Sequence, residues 1–271
     1  MVAEEFFDLL LEEIRENKDL RGYYRFLDNE KLFHFRKSYY VQRLAYLYDQ
    51  LKNTNEAYVW DCGCGYGSTG IFLALNGIRS HGTTLEYYFH QISSRLNYWK
   101  KIGDISKFSY SYENVFDTQI KSDSYDAIIV QDTLHHLEPL QDALNIFSRS
   151  LKKDGRIIAI EENGSNVIQN TKLFLQRGNK KIIKVYDENL GKEYLMGNEN
   201  IRSLSKWRDE FSDAGFKIDN ETIHYVRLFP PFMMNEINTE KRVKQEQNIW
   251  KKNRMLRNYF FFGLNFVATK K

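Results

Sequence analysis

The chain has 271 residues, enough for one large α/β domain or a domain with sizeable additions. A 42% hydrophobic and 15% aromatic content supports a real core, and only 3 prolines and 15 glycines exclude a linker-rich or disordered chain. A net charge of +3 gives no support to bulk nucleic-acid binding, and the 2 cysteines, Cys62 and Cys64, are too few for a disulfide framework or a zinc site.

Residues 1–5 are acidic and carry no signal-peptide pattern, and no apolar run reaches the ~18 residues of a membrane span. A cytoplasmic protein with buried, reduced thiols is expected. Residues 3–17 read as an amphipathic helix, with Phe6, Phe7, Leu10, Leu11 and Ile14 near helical spacing. Residues 1–20 hold 7 acids against 2 bases, so the opposite face is expected to be solvated, with docking on a basic C-terminal helix as the alternative. Residues 19–53 make a second helical region dense in aromatics. Residues 1–55 thus form an N-terminal helical cap ahead of the sheet, able to bring Tyr39 or Tyr40 over a ligand. Residues 56–271 form the ligand-binding domain.

Residues 57–62 form the first strand, which ends in Asp61-Cys62-Gly63-Cys64-Gly65-Tyr66-Gly67-Ser68-Thr69. An acid at a strand tip is followed by a glycine turn and a helix that Ser68 or Thr69 can cap. Bare main chain at Gly63, Gly65 and Gly67 lets a ligand approach closely. A carboxylate beside it suits a ligand with an ammonium group and a nucleoside, which describes S-adenosylmethionine (SAM). Gly65 to Gly70 also spells the dinucleotide fingerprint. An acid just upstream does not help a pyrophosphate at the helix N-terminus.

The second strand, residues 79–85, carries Thr84 where a nucleotide-binding fold places an acid for the ribose hydroxyls. Glu86 can take over that role or cap the helix of residues 87–101. The strand at 108–112 leads to Asn114 and Val115, whose side-chain amide and backbone N–H match an adenine edge, unless this is an ordinary polar loop. Residues 125–130 are a continuous apolar run, as expected of a buried parallel strand. Gln131-Asp132-Thr133-Leu134-His135-His136 follows at its carboxyl end, where open α/β sheets bind ligands. A helix at 140–151 and a strand at 156–160 complete five βα units, giving an α/β, doubly wound, mostly parallel sheet. Residues 163–200 form an insertion with some helix and no clear repeat. A helix at 203–214, a strand at 216–228, a second insertion at 229–258 and a last strand at 263–269 follow, for a seven-stranded sheet. The second insertion opens on an apolar lip, Phe229-Pro230-Pro231-Phe232-Met233-Met234, and continues as a basic helix. Residues 239–271 hold 9 bases and 2 acids.

Taken together, Asp61 to Gly67, Gly82-Thr83-Thr84-Leu85-Glu86, Tyr125-Asp126, Leu134-His135-His136-Leu137 and Leu151-Lys152-Lys153-Asp154-Gly155-Arg156 resemble the class I SAM-dependent methyltransferases. The likeness covers about residues 57–162 and is nearest in flavour to small-molecule enzymes such as the quinone C-methylating ones. The piece at 82–86 is similar to that of cyclopropane-fatty-acid synthases and terpene methyltransferases, which tend to carry threonine at this strand. The resemblance implies that Asp61 and the Gly63, Gly65 and Gly67 backbone hold the methionine end of SAM. It implies Thr84 or Glu86 at the ribose, Asn114 and Val115 at adenine, and Gln131 and His136 beside the sulfonium. The Asn-Pro-Pro-Tyr motif of some nitrogen-methylating relatives is absent, with Gln131-Asp132-Thr133-Leu134 in its place.

Methyl transfer from sulfur is an in-line displacement, so the protein must align the acceptor about 3 Å from the methyl and exclude water. His135 or His136 is the candidate base for a hydroxyl acceptor, with Glu161 and Glu162 next in line. The competing reading of each histidine is a buried structural group. No metal is expected. The acceptor is expected to be a small, partly apolar metabolite lying under the aromatic cap and the 229–258 insertion. Alternatives are an RNA methyltransferase using the basic 239–257 helix, a non-catalytic SAM-binding protein, or a nicotinamide-dependent oxidoreductase. Nucleic acid is not an expected partner, and a homodimer is one open option.

Overall fold

A computed structural model describes residues 1–54, 56–85 and 89–271. The helices α1 (Ala3–Glu16), α2 (Lys18–Tyr24) and α3 (Glu30–Leu51) precede the sheet. Next come β1 (Tyr58–Cys62), α4 (Ser68–Leu75), β2 (Arg79–Thr84), α5 (Phe89–Trp99), β3 (Phe108–Tyr112), β4 (Tyr125–Gln131), α6 (Leu140–Ser150) and β5 (Leu151–Glu162). The remainder is α7 (Val167–Arg177), β6 (Ile182–Asp187), β7 (Lys192–Gly197), α8 (Leu204–Asp213), β8 (Phe216–Ile218), β9 (His224–Val226), α9 (Thr239–Lys252), α10 (Arg254–Phe260) and β10 (Gly263–Lys270).

The main sheet runs β3-β2-β1-β4-β5-β10-β8, with β9 also paired to β10. Strands β1 to β5 are mutually parallel, and β10 runs antiparallel to β5. The doubly wound, mostly parallel architecture follows from strands such as Ala127 to Val130, which are apolar throughout and buried on both faces. Among the described residues the sheet contains eight strands rather than seven. The segment expected as one strand over 216–228 breaks at a 3-10 turn, Asn220–Thr222, into β8 and β9. Both still pair with β10, so the number of sheet positions is unchanged. Parallel pairing places the carboxyl ends of β1, β2, β4 and β5 on one edge, and the start of β10 joins them through Gly263 opposite Glu162.

The cap is anchored by a buried ionic knot. The apolar stripe of α1 is inside as expected, with Phe6, Phe7, Leu10 and Ile14 all at 0% exposure. One of its acids is inside too, which the reading of a wholly solvated acidic face did not anticipate. Glu13 is 3% exposed and takes a bidentate pair from Arg95 of α5, at 2.9 and 2.7 Å, plus a 2.8 Å bond from Trp99 Nε1. The third guanidinium nitrogen of Arg95 reaches the Tyr66 carbonyl at 2.6 Å and Ser68 Oγ at 2.8 Å. Glu13 therefore meets α5 and the glycine turn, while Glu4, Glu5, Asp8, Glu12 and Glu16 stay exposed as expected. Tyr24 of α2 also bonds Ser68 Oγ. An unpaired charge at this depth is costly, so the knot sets how the cap sits on the turn.

Residues 182–197 are an antiparallel hairpin, β6 with β7, within the insertion expected to hold some helix and no clear repeat. The β-branched and aromatic residues Ile182, Ile183, Val185, Tyr186 and Tyr194, and a turn closing at Gly191 with φ +65°, are its signals. The hairpin is fastened to the sheet edge by Asp187 accepting from Tyr112 Oη at 2.6 Å and by a Lys192–Asp117 ion pair. Among the described residues, no helix is long and apolar enough to cross a membrane.

Candidate active site

The turn after β1 is built from main chain. Gly63 N and Cys64 N donate to the Thr83 carbonyl at 2.8 and 3.0 Å, which folds the chain back over β2. Gly63 sits at φ +83°, and a Cβ there would lie 2.4 Å from Thr133 Oγ1, so both conformation and space require glycine. Asp61 is 1% exposed beneath this turn, and its Oδ2 has no hydrogen-bond partner among the described residues. Burial pushes its carboxyl up from 3.8 to about 7. The two thiols are buried and free, and burial raises both, Cys62 to about 12, so neither is a nucleophile near neutral pH.

A cavity of about 960 Å³ opens at the carboxyl edge of the sheet. Its floor is the turn (Gly63, Cys64, Gly65, Tyr66), the end of β2 (Thr83, Thr84) and Asn114 with Val115. Gln131, Asp132, Thr133 and His136 supply one wall. The cap supplies another, with Tyr23, Tyr24, Tyr39, Tyr40 and Arg43, so both candidate tyrosines line the space. Tyr194, Leu195 and Met196 of the hairpin close it from above. None of residues 229–258 lines it; Phe232 is 84% exposed, and the expected apolar lip lies elsewhere. Sequence pattern cannot show which of two insertions folds over a strand edge, and here the first one does.

The candidate side chains differ in how they are tied. Gln131 Nε2 donates to Thr69 Oγ1 at 2.7 Å. Asn114 is 4% exposed and lines the cavity, and its Oδ1 accepts from Phe116 N at 3.0 Å, which fixes the loop. Thr84 is 3% exposed at the end of β2. Glu86 lies outside the described residues.

The two histidines are distinct. His135 is 3% exposed and absent from the cavity lining; its Nδ1 lies 2.5 Å from Glu161 Oε2. Burial alone would lower it, but the adjoining Glu161 carboxylate reverses this and holds it at about 9. His135 is thus an imidazolium at neutral pH and has no lone pair for a substrate proton. Glu161, at 0% exposure, also accepts from Thr133 N at 3.0 Å and Leu134 N at 2.8 Å, so it organises the loop after β4. His136 lines the cavity, and its Nδ1 lies 2.9 Å from the Gly197 carbonyl. A carbonyl only accepts, so Nδ1 carries the proton and Nε2 is left as the acceptor. His135, His136 and Glu199 bring donor atoms within 4.8 Å of one another. Within that trio, His135 Nε2 lies 3.7 Å and His136 Nε2 4.0 Å from the Glu199 carboxylate. Sequence reasoning missed Arg43 and Arg227, which also line the cavity.

Residues 60–159 match the methyltransferase domain family. Over that stretch the chain is similar to methyltransferase domains. A histidine protein methyltransferase 1 homolog of Dictyostelium discoideum is 26% identical over 122 residues, which are 43% of this chain and 38% of that protein. The match therefore spans well under half of that relative. Among solved structures, a geranyl diphosphate methyltransferase in complex with GPP and sinefungin is 15% identical, with a TM-score of 0.60 over 89% of this chain and 81% of that one. A SAM-dependent methyltransferase from Methanosarcina mazei is 16% identical, with a TM-score of 0.54 over 80% and 93%. At such identities the likeness is one of fold. The matched methyltransferase domain contains the turn, β1 to β4 and the histidine loop, whereas the cap and the hairpin that complete the cavity lie outside it.

Proposed function

We propose that this protein transfers the methyl group of SAM to a small, partly apolar acceptor lying between the N-terminal cap and the 182–197 hairpin. The observation that carries this is Asp61, a buried carboxylate with one unpartnered oxygen beneath a glycine turn, in a domain of SAM-dependent methyltransferases. An ammonium group beside it would supply the missing partner. The turn backbone at Gly63, Gly65 and Gly67 takes the methionine end, Thr84 or Glu86 the ribose, and Asn114 with the Val115 N–H the adenine.

When bound, SAM supplies an electrophilic methyl on sulfur. The chain's own contribution is alignment and dryness: Tyr39, Tyr40 and Met196 shield the cavity while Gln131 and His136 border the reacting end. His136 Nε2 receives the proton of a hydroxyl acceptor; His135, already charged, fixes the loop. The aromatic lining favours a partly apolar acceptor over RNA, whose basic-helix route fails because residues 239–257 are away from the cavity.

The test is calorimetric titration with SAM, S-adenosylhomocysteine and NAD(P), followed by transfer of labelled methyl from SAM into a small-metabolite extract and into RNA. Micromolar S-adenosylhomocysteine binding with label in the small-molecule fraction is expected. Nicotinamide binding without SAM binding, or label only in RNA, would refute the proposal.

A further inference from the structure

Arg227 follows β9 and holds a left-handed backbone, φ +66°, unusual for a residue with a side chain. Its guanidinium stacks over Tyr39 at 4.6 Å, Phe262 at 5.6 Å and Phe35 at 5.8 Å, and the residue lines the cavity. Its Nε is buried without a hydrogen-bond partner, and no ion pair is formed by Arg227 among the described residues. Two carboxyls face it. Glu246 is occupied by the backbone N–H groups of Leu228 and Phe229, at 2.8 and 3.0 Å. Glu162 takes a 2.5 Å bond from Gln169 Nε2, and burial raises its carboxyl. On the other side of the Tyr39 ring Arg43 lies 5.0 Å away, already paired with Asp132 at 2.5 Å. Glu162 and Glu246 thus act on Arg227 electrostatically, but neither forms an ion pair with it, and its Nε–H stays unfilled in an aromatic wall.

Its place in the sheet says what it meets. The adenosyl and methionine positions lie over β1 and β2, and β9 is four strand positions from β1 in the order β1-β4-β5-β10-β9. At 4.7–4.9 Å per position the two main chains are on the order of 19 Å apart, so Arg227 enters the cavity from the side away from the glycine turn. The cation faces the acceptor end.

We infer that the acceptor carries a carboxylate and that Arg227 binds it, with the apolar part of the molecule against Tyr39 and Phe35. This rests on the methyltransferase reading of the site. A carboxylate matches the fork of parallel donors that a guanidinium with an unfilled Nε–H presents. The stacked rings hold the fork in one orientation and exclude water from it, which strengthens the pair.

The experiment uses the full chain saturated with S-adenosylhomocysteine, whose own titration checks the cofactor reading separately. A panel of aromatic and aliphatic carboxylates, from benzoate upward in size, is measured by thermal shift and calorimetry beside the corresponding neutral amides and phenyl phosphate. We expect carboxylates to bind at least tenfold more tightly than their amides, R227Q to erase that preference, R227K to keep part of it, and S-adenosylhomocysteine affinity to stay within twofold. Equal binding of carboxylate and amide, no binding by any carboxylate, a preference for phenyl phosphate alone, or an unchanged preference in R227Q would each overturn the proposal. The comparison of carboxylate with amide needs only the wild-type protein, so it stands if a variant fails to fold.

Discussion

Replacing Asp61 by asparagine should stabilise the ligand-free protein and weaken its hold on the cofactor. The carboxyl is raised from 3.8 to about 7 by burial alone. Keeping it ionised in the fold at pH 8 thus costs on the order of 4 kcal/mol, an upper bound because water reaching the site would lower it. The sign follows from the folded value lying above the unfolded one. The folded chain gains relative stability as the group protonates, so wild-type stability is greatest below about pH 4 as far as this group is concerned. It falls as pH rises towards and through 7. An asparagine has no charge to bury. At roughly 2–4 °C per kcal/mol for a chain of this size, D61N should melt some 5–15 °C higher than wild type at pH 8. The two should converge near pH 4. With the cofactor the order reverses: losing a charge-assisted bond to the ammonium group costs about 1.5–3 kcal/mol, or roughly ten- to a hundredfold in S-adenosylhomocysteine affinity. Scanning calorimetry at pH 4 and pH 8 and titration calorimetry at pH 8 measure both effects. Equal melting points at pH 8 together with unchanged affinity would refute the reasoning.

Other expectations follow from the same contacts. E13A leaves Arg95 buried without its partner, for a loss of about 3–5 kcal/mol read by urea denaturation. His135 sits at about 9 rather than its ordinary 6.5, so its contribution is complete below pH 6.5 and disappears as pH rises through 9. The wild-type denaturation midpoint should decline across that window, and H135Q should flatten the decline. At Gly197 a Cβ would stand 1.9 Å from the His135 carbonyl oxygen, so G197A must displace backbone. We expect a cost of at least about 1–3 kcal/mol and faster proteolysis within 182–197, with S-adenosylhomocysteine binding preserved.

Much of this protein was legible in one dimension because the informative residues are neighbours. Asp61 and the glycines beyond it declare a tight strand-to-helix bend, since only glycine accepts the +83° backbone at position 63 against Thr133. Apolar runs such as 127–130 declare buried parallel strands, and parallel strands put their carboxyl ends on one edge. Fold and cofactor side follow from those local requirements.

What tertiary structure alone decided is the far half of the cavity. Glu13 meets Arg95 across 82 positions of chain, and His135 is charged because Glu161 arrives beside it from the next strand. The hairpin, rather than the second insertion, covers the edge, and Arg227 turns back from β9 to face Tyr39 of the cap. Charge state and pocket shape depend on which elements pack together, and packing energy is shared among residues distant in sequence. No local pattern records it, which is why the glycine bend can be read from its letters and the far wall of the cavity cannot.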